Sequence, residues 1–183
     1  RHPTCFGQST AILTGVAASR GSVIATIDGD GQNDPKDIIL LLESYRDQRD
    51  KDDSAPVMVV GHRVKRKDTL VKRYSSRIAN TIRSGLLKDC TPDTGCGLKV
   101  FPRAAFMALP HFDHMHRFLP CLFIRNGGRV LSVPVNHRAR ERGISKYGVW
   151  NRVWVGIIDL FGVMWLARRS IRSVVEEKDQ IQE

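Results

Sequence analysis

The apolar run Val23-Ile24-Ala25-Thr26-Ile27 stops abruptly at Asp28-Gly29-Asp30-Gly31-Gln32. A short stretch of β-branched and small residues bounded by glycine reads as a buried strand. Its carboxylates therefore emerge at the carboxyl end of a strand, where open α/β sheets bind their ligands. Asp28 and Asp30 at i and i+2, with the Gln32 amide oxygen at i+4, are hard donors suited to Mg²⁺ or Mn²⁺. Such a cation keeps waters and shares its remaining positions with a substrate diphosphate. An EF-hand loop would need Gly at the sixth position and Glu at the twelfth, where Asn33 and Ile39 stand. The other alternative is a plain polar turn between strand and helix. Asp34-Pro35, with Asp37 in the first turn, reads as a helix N-cap, so Asp34 is assigned to structure rather than to metal.

Around that strand, α and β patterns alternate. Ser9 to Ser19 reads as a small-residue helix whose Ala11, Ile12, Gly15 and Ala18 allow close packing on a sheet. A helix from Pro35 to about Arg49 turns Ile38, Leu41, Leu42 and Tyr45 inward, and Val57 to Val60 is the next buried strand. Leu70 to Leu86 repeats apolar residues at helical spacing. Leu98 to Phe101 and Arg129 to Val135 read as strands, and roughly Arg117 to Arg125 as a helix ended by Asn126-Gly127-Gly128. Alternation of this kind predicts a mainly parallel sheet with helices on both faces.

The 183 residues suffice for one domain with a real core, and 42% hydrophobic with 26% charged residues is ordinary for a globular protein. The chain begins at Arg1, and the first strands of a larger domain are expected to precede it. Cys5, Cys90, Cys96 and Cys121 form no CxxC pair and nothing resembles a signal peptide, so a reducing cytosol is the default and the cysteines read as buried apolar residues. The net charge of +10 is concentrated: Val57 to Lys88 holds nine basic residues against Asp68, and Arg125 to Arg152 seven against Glu141. Such blocks suit phosphate esters or acidic headgroups. Aromatics are not interleaved with them, which argues against nucleic acid as a partner.

Val149 to Ala167 is apolar but interrupted by Arg152 and Asp159, far short of the roughly 20 residues a membrane span requires. On a helical wheel Trp150, Trp154, Phe161 and Trp165 fall within an arc of about 60°, with Arg152 and Asp159 opposite and Arg168, Arg169 and Arg172 following. This suits a helix lying in a membrane interface, and equally a core helix packed on the sheet.

Three further clusters carry possible chemistry. Asp93, in the turn Asp93-Thr94-Gly95-Cys96-Gly97, could serve as a general base or be an ordinary Asx turn. Arg138, Arg140, Arg142, Ser145 and Lys146 surround Gly143 and suit either a phosphate clamp or a solvated loop, with Arg63 able to do similar work from the other side. His111, His114 and His116 with Asp113 match no compact zinc spacing and read as surface or packing residues.

Taken in order, these motifs resemble family 2 glycosyltransferases of the dolichol-phosphate mannose synthase and bacterial polyprenyl-phosphate type. The likeness runs through Asp28 to Pro35, Gly61 to Arg63, Arg77 to Asn80, Asp93 to Phe101, His116 to Pro120, Val133 to Arg138 and Arg142 to Gly148, covering about Gly7 to Ser170. It implies a GT-A fold and transfer, with inversion, of a sugar from a nucleotide-diphosphate donor to a polyprenyl phosphate. Asp28, Asp30 and Gln32 match the metal motif, with Mg²⁺ or Mn²⁺ as cofactor. Arg63, Arg138, Arg142, Ser145 and Lys146 match phosphate-handling positions, and Asp30 and Asp93 the catalytic acids.

The implied organisation is a catalytic domain over 1–148, an amphipathic segment over 149–172 contacting a membrane through its aromatics, and a polar tail over 173–183. The implied place is the cytoplasmic face of a membrane. Two rival readings stand beside it. One is the same fold acting on a glycan or other non-lipid acceptor, disfavoured because a Q-x-x-R-W motif is absent. The other is a catalytically silent anion- or membrane-binding module.

Overall fold

The computed structural model describes residues 2–64, 83–87, 89, 91–138 and 149–169, the side chains of 149–153 excepted. The elements are α1 (Gly7–Ala18), β1 (Val23–Thr26), α2 (Asp37–Lys51), β2 (Val57–Arg63), β3 (Lys99–Pro102), α3 (Arg103–Met107), α4 (Leu119–Arg125), β4 (Arg129–Val135) and α5 (Val149–Ala167). A single 3₁₀ turn, Met115–Arg117, precedes α4. Of the helix expected from Leu70 to Leu86, residues 83–87 are helical and the rest lies outside the described residues, as does Cys90.

The sheet is ordered β1-β3-β2-β4. β2 is its middle: Val57 to Val60 are buried, with Val57 and Val59 in the core on one face and Met58 and Val60 in the core on the other. A strand covered on both sides has no reason to alternate apolar with polar residues, hence the continuous run. β1, β2 and β4 share one direction, β2 pairing parallel with β4. β3 runs against them, antiparallel to both β1 and β2. The alternation of patterns implied a mainly parallel sheet; the inserted β3 makes it mixed. The cause is local. The segment entering β3 already lies at the carboxyl end of β2, where the Gly61 amide donates to Leu98 O at 2.9 Å, so the chain can only run back.

Helices cover both faces, as expected. α2 places Leu41 and Tyr45, with Ile38 and Leu42 partly buried, against Val57, Val59, Leu98 and Val100. On the other face, α4 contributes Leu119, Leu122 and Phe123, α5 contributes Val163, and Phe101 stacks on Phe106 with centroids 5.2 Å apart. α1 joins this layer through Val16, with Ile12 and Leu13 partly buried, whereas Ala11, Gly15 and Ala18 are exposed and do not pack on the sheet. Arg103 holds α1 by donating to Val16 O at 3.0 Å and Ala17 O at 2.9 Å, a cation at the negative end of the helix. α4 ends at Gly127, whose φ of 81° suits a residue without Cβ. Cys96 and Cys121 are buried, burial pushing the Cys121 thiol up to about 11, while Cys5 is exposed.

α5 has two faces. Val163 is buried, and Leu160 and Met164 pack against the core, while Trp154, Ile158, Phe161 and Trp165 stand on the opposite side, each more than 60% exposed. Core packing and aromatic exposure, set against each other in the sequence, are both met by opposite faces of one helix. Its end is fixed by Arg125, which donates to Leu166 O at 2.9 Å and Arg169 O at 3.2 Å. Among the described residues no helix is long and apolar enough to cross a membrane.

Candidate active site

The carboxyl ends of β1 and β2 and the start of β3 meet in one place, because antiparallel β3 begins where the other two end. Thr26 is paired with Lys99 and Val60 with the same residue. A broad open cleft of about 1740 Å³ lies over this junction, lined among others by Asp28, Asp30, Gly95, Gly97, Lys99 and His116.

On the β1 side, the Asp28 carboxylate rests against Gly97: a Cβ built there would lie 2.2 Å from Cγ and 2.3 and 2.5 Å from the two oxygens. Gln8, in the first turn of α1, donates from Nε2 to Asp28 Oδ1 at 3.2 Å. Asp30 Oδ1 accepts the Gln32 amide at 3.1 Å, closing the acidic turn on itself. Gln32 is half-buried and is not part of the cleft lining. Its carbonyl accepts the Arg138 amide at 2.8 Å, and Asn33 bridges His137.

The loop after β4 is thus sewn to the acidic turn. Asp37 completes the seam: buried at the start of α2, it accepts Asn136 N at 2.7 Å and Asn136 Nδ2 at 3.2 Å. Asp34 accepts the Lys36 amide at 3.1 Å and the Arg138 guanidinium, and these donors, the amide first, hold its carboxyl below the usual range. Asp34 is tied into the fold by these contacts, but α2 begins at Asp37 with Lys36 at its N-cap and no side-chain cap, two residues later than Asp34-Pro35 implied.

On the β2 side, Arg63 and Asp93 form a forked pair, Nε to Oδ2 at 2.6 Å and Nη2 to Oδ1 at 2.7 Å, with the Arg63 amide also reaching Oδ2 at 3.3 Å. Both side chains are largely buried, and the hydrogen bonds from Asp93 raise Arg63 above its ordinary range. Arg63 lies behind Gly95, its Nη2 only 3.2 Å from where a Cβ would be. Upstream, Arg83 pairs with buried Asp89 at 2.5 Å and donates to Thr91 O at 3.1 Å, fixing the approach to this turn. Lys99, 6% exposed, donates from Nζ to Cys96 O, and burial pushes its ammonium down while Asp28 and Asp93 act against that.

The third wall carries the histidines. Ser9 Oγ is 2.8 Å from His116 Nδ1, and burial, helped by Arg117 and Lys99, lowers His116 to about 4. His114 takes a left-handed backbone, φ 62°, and its Nδ1 is 3.0 Å from Asp159 Oδ2 of α5. Val155 of α5 lines the same cleft. No group of three or more His, Cys, Asp or Glu among the described residues is arranged to hold a metal ion. The donor set that remains is two hard carboxylates on a cleft wall. That suits a cation completing its shell with substrate oxygens and water, and does not suit a closed structural site.

The structure therefore places Asp28 and Asp30 both on the cleft wall and puts Asp93 behind Gly95, paired to Arg63. Arg138 lies across the acidic turn, paired to Asp34. Arg142, Ser145, Lys146 and the Trp150 side chain lie outside the described residues. Gly97, Lys99, Gln8 and the Asp37–Asn136 clamp were not singled out from sequence. One signal existed: a lysine inside the apolar run Leu98-Lys99-Val100-Phe101 is anomalous unless a polar site lies beneath it.

Comparison with known proteins gives a consistent picture. Residues 1–109 match the profile described as Glycosyl transferase family 2. The chain is 36% identical over 170 residues to a dodecaprenyl-phosphate galacturonate synthase of Rhizobium johnstonii, covering 91% of this chain and 48% of that protein. It is 32% identical over 145 residues to an undecaprenyl-phosphate 4-deoxy-4-formamido-L-arabinose transferase of Edwardsiella ictaluri, covering 79% and 42%. The chain thus spans about half the length of these relatives. Among solved structures, glucosyl-3-phosphoglycerate synthase from Mycobacterium tuberculosis, in complex with Mn²⁺, UDP-glucose and phosphoglyceric acid, superposes with a TM-score of 0.57 at 13% identity, over 91% of this chain and 56% of that one. That likeness shows a shared GT-A-like fold.

Proposed function

The chain belongs to glycosyl transferase family 2, and on that premise we propose that it carries the catalytic centre of a metal-dependent, inverting transferase moving a sugar from a nucleotide-diphosphate donor to a polyprenyl phosphate. One observation carries the reading: two carboxylates, Asp28 and Asp30, at the carboxyl end of β1 on the wall of a wide cleft. The relatives named as acting on dodecaprenyl or undecaprenyl phosphate support the choice of acceptor.

In this reading Asp28 and Asp30, with Gln32 adjoining, hold Mg²⁺ or Mn²⁺. The bound cation supplies charge neutralisation to the departing nucleoside diphosphate. An oxygen of the acceptor phosphate forms a bond to the anomeric carbon as the bond from that carbon to the donor's diphosphate oxygen breaks, which inverts the centre. A lipid phosphate is already ionised at neutral pH, so no strong base is needed. Asp93, occupied by three donors from Arg63, then serves to aim and hold that guanidinium. Arg138, Arg142, Ser145 and Lys146 bind phosphate oxygens, Arg138 exchanging Asp34 for substrate. Aligning two anions that repel one another is the main task of these cations.

In this reading residues 1–148 supply the catalytic side chains, and the amphipathic segment 149–172, whose α5 also packs on the core through Val163 and reaches the cleft at Val155, rests on the cytoplasmic face of a membrane. The exposed stripe Trp154, Ile158, Phe161 and Trp165, beside Arg168 and Arg169, supports that contact. The test is transfer of labelled sugar to polyprenyl phosphate by the full-length protein, screened across nucleotide sugars with Mg²⁺, Mn²⁺ or EDTA. Asp30→Ala should lower the metal-dependent rate by at least 100-fold. Undiminished transfer by Asp30→Ala, or full activity in EDTA, refutes the metal role.

A further inference from the structure

The carbonyls of three successive residues beneath the cleft each receive a separate donor. Lys99 Nζ donates to Cys96 O, Thr26 Oγ1 to Gly97 O at 2.8 Å, and the Gly61 amide to Leu98 O at 2.9 Å. The donors come from β3, β1 and β2, so all three strands that meet at the site lock one short segment. Lys99 is buried, and its ammonium exchanges water for a backbone carbonyl of this segment, an arrangement that rigidifies it. At the centre of the locked segment stands Gly97, with the Asp28 carboxylate packed on its Cα.

Building on the reading of Asp28 as a cation ligand, we infer that Gly97 is a positioning residue for that carboxylate: its bare Cα, pinned by Thr26 and Lys99, is the seat that sets where the Asp28 oxygens point. The geometry separates this from an ordinary turn glycine. Gly97 does not have a positive φ, so alanine is conformationally acceptable there. The three nearest atoms alanine would meet all belong to the Asp28 carboxylate, at 2.2–2.5 Å. That carboxylate must retreat by about 1 Å to reach ordinary contact, beyond the roughly 0.5 Å within which a side chain that binds a ligand has to be held. Because a side chain can rotate where a backbone cannot, the fold accommodates the methyl while Asp28 turns away from its place.

The experiment measures Mn²⁺ binding to the full chain through the electron paramagnetic resonance signal of the free ion, with and without inorganic pyrophosphate, beside thermal unfolding. Gly97→Ala should weaken Mn²⁺ binding at least tenfold while the melting temperature stays within a few degrees of the native chain. Thr26→Val, which removes the donor to Gly97 O at nearly constant volume, should weaken it several-fold. Gly162→Ala in α5, with nothing within 4 Å of the added methyl, should leave it unchanged. Gly97→Ala binding Mn²⁺ within twofold of the native chain overturns the inference, as does a lower melting temperature with unaltered affinity of the folded fraction. Should Gly97→Ala not fold, Thr26→Val decides, and unchanged affinity overturns the inference. A native chain that binds no Mn²⁺ in either condition refutes the cation reading itself, a failure distinct from the others.

Discussion

Replacing Asp37 by Asn tests whether the loop after β4 is held to the acidic turn by one buried carboxylate. Asp37 is 3% exposed, sits at the first residue of α2, and takes both the backbone and side-chain N–H groups of Asn136. Asparagine keeps the shape but offers an NH₂ where one oxygen stood, turning an accepted hydrogen bond into two opposed donors. A hydrogen bond to a charged acceptor contributes about 1.5–3 kcal/mol. The lost charge at a helix N-terminus adds about 0.3–1 kcal/mol. Asn136 is exposed and can turn to water, so the lower half of the sum applies, roughly 2 kcal/mol. For a domain of this size that corresponds to a melting temperature lower by about 4–8 °C. Urea unfolding followed by circular dichroism at 222 nm measures the change, with Asp53→Asn as the comparison. Asp53 is an exposed partner of Arg49 four residues away on α2, and its loss should be undetectable. A change below about 0.5 kcal/mol in Asp37→Asn would refute the clamp, since no buried charged hydrogen bond is removed so cheaply.

Two further outcomes are expected. His116 is held near 4 in the fold against an ordinary 6.5, so the unfolded chain takes up a proton first as the pH drops. Stability should therefore fall between pH 6.5 and about 4, by on the order of 1–2 kcal/mol after allowing for the partly exposed ring. His116→Gln should lose that slope in urea midpoints taken across the range, and an identical slope would sink the assignment. The triple change of Trp154, Phe161 and Trp165 to Ser should abolish binding to vesicles containing anionic lipid while leaving the melting temperature nearly unaltered, because these rings make little contact with the core. Vesicle binding that survives the change argues against the aromatic face.

The elements that bury apolar stripes were legible residue by residue. Ile38, Leu41, Leu42 and Tyr45 face inward as their spacing implied, β4 runs from Arg129 to Val135, and α5 from Val149 to Ala167. Local spacing decides such features because a helix or strand face is set by a period of a few residues. The acidic turn was legible for a related reason, as its carboxylates lie two apart directly after an apolar strand. The strand itself was misread: β1 stands at the sheet edge, half-buried, with Ala25 and Ile27 exposed, because burial depends on its neighbours in the sheet. The direction of β3 was not legible, since it depends on where in space the chain re-enters the sheet. α1 misled for the same reason: small residues permit close packing without requiring it, and here Ala11 and Gly15 line the cleft instead.

Pairings across many residues were invisible in the same way. Arg63 and Asp93 were each read alone, as a phosphate ligand and a base, and only the fold makes them a pair 30 residues apart. Gly97 under Asp28, Asn136 on Asp37 and Asp159 beside His114 belong to the same class. What the amino-acid order determined by itself was which segments become strand or helix and where acidic chemistry surfaces, because those follow from interactions within a few residues. Which carboxylate is gripped by which cation, and which glycine must stay bare, was decided only by tertiary structure, because contact between distant residues follows strand direction and register rather than sequence spacing.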